Sequence, residues 1–145
     1  MARRDGGKAT RANASQDRHV TQKVLIVDDS KLARMAVIKA LNALHPDWTR
    51  LEASNADEAL ELVERMSPDV VLLDFNMPGK DGLMLAAELR ASNPHVRVAV
   101  ISANRQIEVI DRAHAAGAAF LPKPLTEKAL GDFLNTPAQE SQKAR

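Results

Sequence analysis

Five residues of this 145-residue chain place acid, hydroxyl and amine chemistry at the ends of short apolar runs. Asp28 and Asp29 follow Val24-Leu25-Ile26-Val27, and Asp74 follows Val70-Val71-Leu72-Leu73. Ser102 follows the run from Val96 to Ile101, and Lys123 stands just past Ala119-Phe120-Leu121. Three carboxylates converging in a cleft repel one another and resist ionisation unless a cation lies among them. Oxygen donors without imidazole or thiolate select a hard divalent ion, Mg2+ or Mn2+. So small a ligand set leaves coordination positions open for water and a phosphoryl oxygen. Lys123 adds a point positive charge for the same anion, and the Ser102 hydroxyl donates to one of its oxygens. A carboxylate that attacks phosphorus forms an acyl phosphate, with metal and lysine offsetting charge on the equatorial oxygens. Asp74 is the predicted nucleophile. It lies at a strand end, and the loop Asn76-Met77-Pro78-Gly79-Lys80-Asp81-Gly82 is built of turn residues suited to aiming a backbone carbonyl at the metal.

That chemistry requires a fold that gathers the run ends. Val24 to Val27 is four residues long and β-branched at three of them, which suits a strand buried on both faces. Ser30 is placed to cap a helix whose apolar residues Leu32, Met35, Ala36, Ile38, Leu41 and Leu44 follow at helical spacing, ending at Pro46-Asp47. Thr49 to Ala53 reads as a short, weak strand, and Asn55 or Asp57 caps a helix that Ser67-Pro68 breaks. Val70 to Leu73 is a second clear buried strand. Leu83 to Ala91 is helical up to Asn93-Pro94, Val96 to Ile101 is a strand, and Ile107 to Ala116 is a helix closed by Gly117. Ala119 to Leu121 forms the last strand, and Thr126 caps a helix through Leu134. Five strand–helix units in residues 23–135 predict an α/β fold, a parallel sheet with helices on both sides. In such folds the working site lies at the carboxyl ends of the strands, near a topological switch point.

Composition excludes several classes. Lys and Arg number 20 against 19 Asp and Glu, so a net charge of +1 offers no global attraction for nucleic acid or a membrane surface. The absence of cysteine removes disulfides, thiolate metal sites and a cysteine nucleophile. No apolar run approaches the roughly 18–20 residues of a membrane span, and the basic N-terminus lacks the apolar stretch of a signal peptide. A cytoplasmic protein is expected. Residues 1–22 carry five basic and two acidic residues, with Val20 the only large apolar one after Met1, and read as a basic flexible arm. Residues 136–145 read as a flexible tail, too short for a DNA-binding module with its own core.

Taken singly, each site residue has a plain structural use: Asp-Asp-Ser before a helix is a cap, Asp74 opens a turn, and Lys-Pro is a solvated turn. Jointly they occupy four strand ends of one sheet. In that order and spacing, Leu25-Ile26-Val27-Asp28-Asp29-Ser30, Val71-Leu72-Leu73-Asp74-Phe75-Asn76-Met77-Pro78 with Asp81-Gly82, Ile101-Ser102-Ala103 and Lys123-Pro124 closely resemble the receiver domains of two-component response regulators. The resemblance covers about residues 23–135. It implies a flavodoxin-like (βα)5 doubly wound sheet in 2-1-3-4-5 order, and phosphoryl transfer to Asp74 from a histidine kinase or histidine phosphotransfer protein. It further implies that Asp29, Asp74 and the Asn76 backbone carbonyl hold Mg2+, that Asp28 acts mainly through water, and that Lys123 contacts the phosphoryl group beside a cis Lys123–Pro124 bond. It also implies a switch, in which Ser102 moves toward the phosphoryl group and Phe120 swings inward. The surface of the fourth helix, fifth strand and fifth helix then changes state and meets an unknown protein target.

The expected form is a stand-alone receiver acting through protein contact. A phosphorylation-independent, receiver-like adaptor is the alternative, against which the intact set Asp28, Asp29, Asp74, Ser102 and Lys123 speaks. A haloacid-dehalogenase-type phosphatase would want an acid two residues after the nucleophile; Asn76 stands there, and no cap domain fits. Nucleic-acid binding through the arm ranks last, and its signature would be a steep salt dependence.

Overall fold

The computed structural model describes residues 21–77 and 81–135. The expected arm, apart from Thr21 and Gln22, and the expected tail lie outside the described residues. The chain alternates β1 (Lys23–Val27), α1 (Lys31–Leu44), β2 (Thr49–Ala53), α2 (Ala56–Met66), β3 (Val70–Asp74), α3 (Gly82–Ser92), β4 (Arg97–Ser102), α4 (Ile107–Ala115), β5 (Ala119–Pro122) and α5 (Glu127–Asn135). All strand pairs are parallel, and the sheet order is β2-β1-β3-β4-β5. This is the flavodoxin-like 2-1-3-4-5 arrangement.

Side chains on a strand alternate between faces, and the two cores follow that rule. Val24 and Ile26 of β1 pack with Val70, Leu72, Ala99 and Ile101 beneath α1 and α5. Leu25 and Val27 pack with Val71, Leu73, Val98 and Val100 beneath α2, α3 and α4. Between their polar end residues the inner strands are therefore continuous apolar runs, because both faces are covered. Trp48 is buried in the first layer and stacks on His45 with ring centroids 3.7 Å apart, anchoring the loop from α1 to β2.

Helix starts follow the cap chemistry. Oγ of Ser30 accepts from the Ala33 amide, Oδ1 of Asn55 from Glu58, and Oγ1 of Thr126 from Ala129, each satisfying an amide with no partner inside its helix. Asn55, not Asp57, is thus the cap of α2. Asp81 also caps a helix, accepting from the Met84 amide at 2.8 Å, so α3 begins at Gly82, one residue before the sequence expectation. Gly117 takes φ +82° after α4, the left-handed conformation expected of a helix-closing glycine. Pro122 ends the edge strand β5. The Lys123 amide donates to the Ser102 carbonyl, so the nitrogen of Pro122 faces away from β4, where an edge strand has no partner to lose. No helix among the described residues is long and apolar enough to cross a membrane.

Candidate functional site

The sheet order decides which acids meet. Val27 of β1 lies beside Leu73 of β3, so the residues that follow, Asp28 and Asp74, emerge together at the carboxyl edge. This is the switch point, where the chain has gone outward to β2 and returns on the other side of β1. One carboxylate oxygen from each of Asp28, Asp29 and Asp74 can be chosen so that all three lie within 4.8 Å of one another. Asp28 and Asp74 are buried and Asp29 is exposed. Lys123 comes from beyond β5 and donates from Nζ to Oδ1 of Asp74 at 2.8 Å. The Lys123–Pro124 bond is cis, as the sequence resemblance implies.

Main-chain hydrogen bonds hold this edge. The Asp28 amide donates to the Ala53 carbonyl, Phe75 to Ile101 and Gly82 to Phe75, at 3.1, 2.9 and 3.0 Å. The Ser30 amide donates to Oδ1 of Asp28 at 2.9 Å. Burial pushes the Asp28 carboxyl above its ordinary value; the Ser30 bond works against that rise, the Asp74 charge adds to it, Lys123 lowers it and Asp29 raises it again. Among the described residues, this buried carboxyl with a raised pKa stands beside two further acids and one lysine, a donor set short of positive charge. A hard divalent cation fits it, with oxygen ligands only and one open, exposed side.

The remaining expected residues stand on the same edge without joining the acidic group. Ser102, fully buried at the end of β4, accepts from the Asn104 amide at Oγ, 2.9 Å away. Phe120 on β5 is partly buried against the core beneath α2, α3 and α4. Asn76 is exposed two residues past Asp74.

Two residues escaped the sequence reading. Gly82 looked like a turn residue, yet a β-carbon there would lie 2.6 Å from the Asp74 carbonyl oxygen. Arg34, inside α1, donates from Nη1 to the Asp28 carbonyl at 2.6 Å and from Nε to Oε1 of Glu52 at 2.8 Å. Its only sequence signal was position, six residues after Asp28 on a helix leaving the site.

The response regulator receiver domain family matches residues 24–135. The chain belongs to this family. The nitrate/nitrite response regulator NarL of Escherichia coli K12 is 38% identical over 96 residues, covering 66% of this chain and 44% of NarL. The sporulation initiation phosphotransferase F of Bacillus subtilis is 29% identical over 99 residues, covering 68% of this chain and 78% of that protein. Among solved structures, the chemotaxis protein CheY4 of Vibrio cholerae superposes with a TM-score of 0.71 at 26% identity, covering 79% of this chain and 97% of CheY4. The chain spans about half the length of several curated relatives it matches. It therefore carries a receiver domain of two-component signalling, a class of phosphoacceptor that works opposite histidine kinases or phosphotransfer proteins.

Proposed function

We propose that Asp74 of this receiver accepts a phosphoryl group from a phosphohistidine of a kinase or phosphotransfer protein, with Mg2+ or Mn2+ held by Asp28, Asp29, Asp74 and the Asn76 carbonyl. The observation that carries this reading is the 2.8 Å contact of Lys123 with Oδ1 of Asp74 inside the acidic group. Lys123 engages one oxygen, and Oδ2 accepts no hydrogen bond from the described residues, so it is the atom available to phosphorus. An oxygen–phosphorus bond forms at Asp74 as the phosphorus–nitrogen bond breaks, and its electron pair stays on the imidazole nitrogen, which takes a proton. Lys123 then passes from the carboxylate to an equatorial phosphoryl oxygen, where a positive charge stabilises the transferring group. A divalent cation bound by the acids would neutralise carboxylate charge and polarise the phosphoryl oxygens.

The output is a change of surface. Ser102 turns its hydroxyl toward the phosphoryl group, Phe120 moves inward, and the face of α4, β5 and α5 shifts between two states read by a protein target. A cytoplasmic setting belongs to this reading, since the donor is a histidine kinase or phosphotransfer protein.

The test is intact mass after incubation with acetyl phosphate and Mg2+, beside Asp74→Asn and an EDTA control. An adduct of about 80 Da, one phosphoryl group in place of a proton, is expected only in the wild type with metal. Persistence of the adduct in Asp74→Asn would move the nucleophile elsewhere. Its absence from the wild type would turn the reading toward a phosphorylation-independent adaptor.

A further inference from the structure

We infer that Arg34 is a positioning residue for the acidic turn: by holding the Asp28 carbonyl it sets the direction of Asp29, and through it the affinity of the group for Mg2+. The inference rests on the proposed use of Asp28, Asp29 and Asp74 as cation ligands. Arg34 lies in the first turn of α1, with 14% of its side chain exposed. Nη1 reaches the Asp28 carbonyl at 2.6 Å and Nε reaches Oε1 of Glu52, on the edge strand β2, at 2.8 Å. A planar guanidinium held in two directions has little freedom left.

The peptide between Asp28 and Asp29 is a rigid plane, so fixing its oxygen fixes the direction in which Asp29 leaves it. Asp28 has anchors of its own, its amide on the Ala53 carbonyl and its Oδ1 under the Ser30 amide. Asp29 is different. It is exposed, and its carboxylate accepts no hydrogen bond from the described residues. Arg34 is thus the side chain that restrains Asp29, acting through the main chain. The choice of a carbonyl matters, because arginine keeps its proton and a direct pair with either carboxylate would compete with a cation. Bound to the carbonyl, Arg34 orients a ligand without occupying it.

The deciding experiment is calorimetric titration of Mg2+ into the full chain and into Arg34→Ala, Arg34→Lys and Glu52→Ala, with the metal-free unfolding midpoint of each measured alongside. Removing a group that orients a metal ligand weakens binding by about tenfold or more, and Arg34→Ala is expected to show such a loss. Glu52→Ala removes the ion pair but keeps the carbonyl bond, and is expected to bind like the wild type. Wild-type affinity in Arg34→Ala, even at reduced stability, overturns the inference. An equal loss in Glu52→Ala also overturns it, because the effect would then belong to the ion pair. Should Arg34→Ala fail to fold, Arg34→Lys decides: its single ammonium lacks the fork, so a weakened affinity supports the inference and a wild-type affinity overturns it. A wild type that binds no Mg2+ defeats the reading of the acidic group itself, an outcome distinct from the others.

Discussion

Gly82 and Asp74 stand so close that a β-carbon on the glycine would come within 2.6 Å of the aspartate's main-chain oxygen. The approach is held by the Gly82 amide, which donates to the Phe75 carbonyl at 3.0 Å. The first turn of α3 therefore presses on the backbone that carries the proposed nucleophile. Gly82→Ala must push that backbone aside, and overpacking of this kind costs about 1–3 kcal/mol. We expect this loss in urea unfolding together with slower adduct formation from acetyl phosphate. Gly117→Ala is the control: it strains a left-handed residue by about 1–2 kcal/mol at the far end of the sheet. It should lower stability while leaving adduct formation unchanged.

The acids set the response to pH and metal. Burial raises the Asp28 pKa above 3.8, so the folded chain binds this proton more readily than the unfolded chain. The charged site then costs stability at neutral pH, and the cost disappears as pH falls through the raised value. In EDTA, Asp28→Asn is expected to be more stable than the wild type at pH 7, with the gap closing toward acid. Mg2+ at about 100 times its dissociation constant adds about 2.7 kcal/mol to a protein that binds it only when folded. The wild type should show that gain and Asp28→Asn a smaller one, read by denaturant midpoints with and without metal. A constant gap across pH would contradict this account of Asp28.

Much of this arrangement was legible in the sequence because its signals are local or periodic. Val24 to Val27 and Val70 to Leu73 show buried strands by composition alone, and strict strand–helix alternation points their ends to one edge. That logic joined Asp74 to Lys123, residues 49 apart that meet at 2.8 Å. What stayed hidden depends on tertiary placement. An arginine on an amphipathic helix reads as a solvated side chain, and Arg34 meets Glu52 only because β2 packs beside β1. Gly82 reads as part of a turn until the backbone of Asp74 is seen against it. The last strand runs one residue past the expected Leu121, to Pro122, which an edge strand accommodates without losing a ladder hydrogen bond.

Arg97 ties the far end of the sheet to α5. Its Nη1 donates to the Leu134 carbonyl at 3.1 Å, its Nη2 donates to the Phe133 carbonyl, and its guanidinium lies 4.7 Å from the centre of the Phe133 ring. These carbonyls belong to the last turn of the helix and lack partners inside it. Hydrogen bonds to a charged group contribute about 1.5–3 kcal/mol, so Arg97→Ala should destabilise by that order. Arg97 opens β4 and Ser102 closes it, so adduct formation at Asp74 should not change. A variant of wild-type stability would show that the guanidinium contacts contribute nothing.

Ser102 faces a choice of partners. Its Oγ accepts from the Asn104 amide at 2.9 Å, and its carbonyl accepts from the Lys123 amide at 3.0 Å. Turning the hydroxyl toward a phosphoryl oxygen strains or breaks the first bond while the second holds. The Asn104 loop leads directly into α4, whose cap residue Gln106 makes no side-chain capping bond. The Gln106 amide instead donates to Oδ1 of Asn104 at 3.0 Å, so we propose that release of the Ser102–Asn104 bond carries the signal from Asp74 to the start of α4. In amide spectra recorded with acetyl phosphate and Mg2+, wild-type changes should spread from β3 to residues 103–107 and along β5. Ser102→Ala should still form the adduct while the changes at 103–107 collapse. Phe120→Ala should keep those changes and lose the ones along β5. Changes of full wild-type extent in Ser102→Ala would mean that the signal leaves Asp74 by another path.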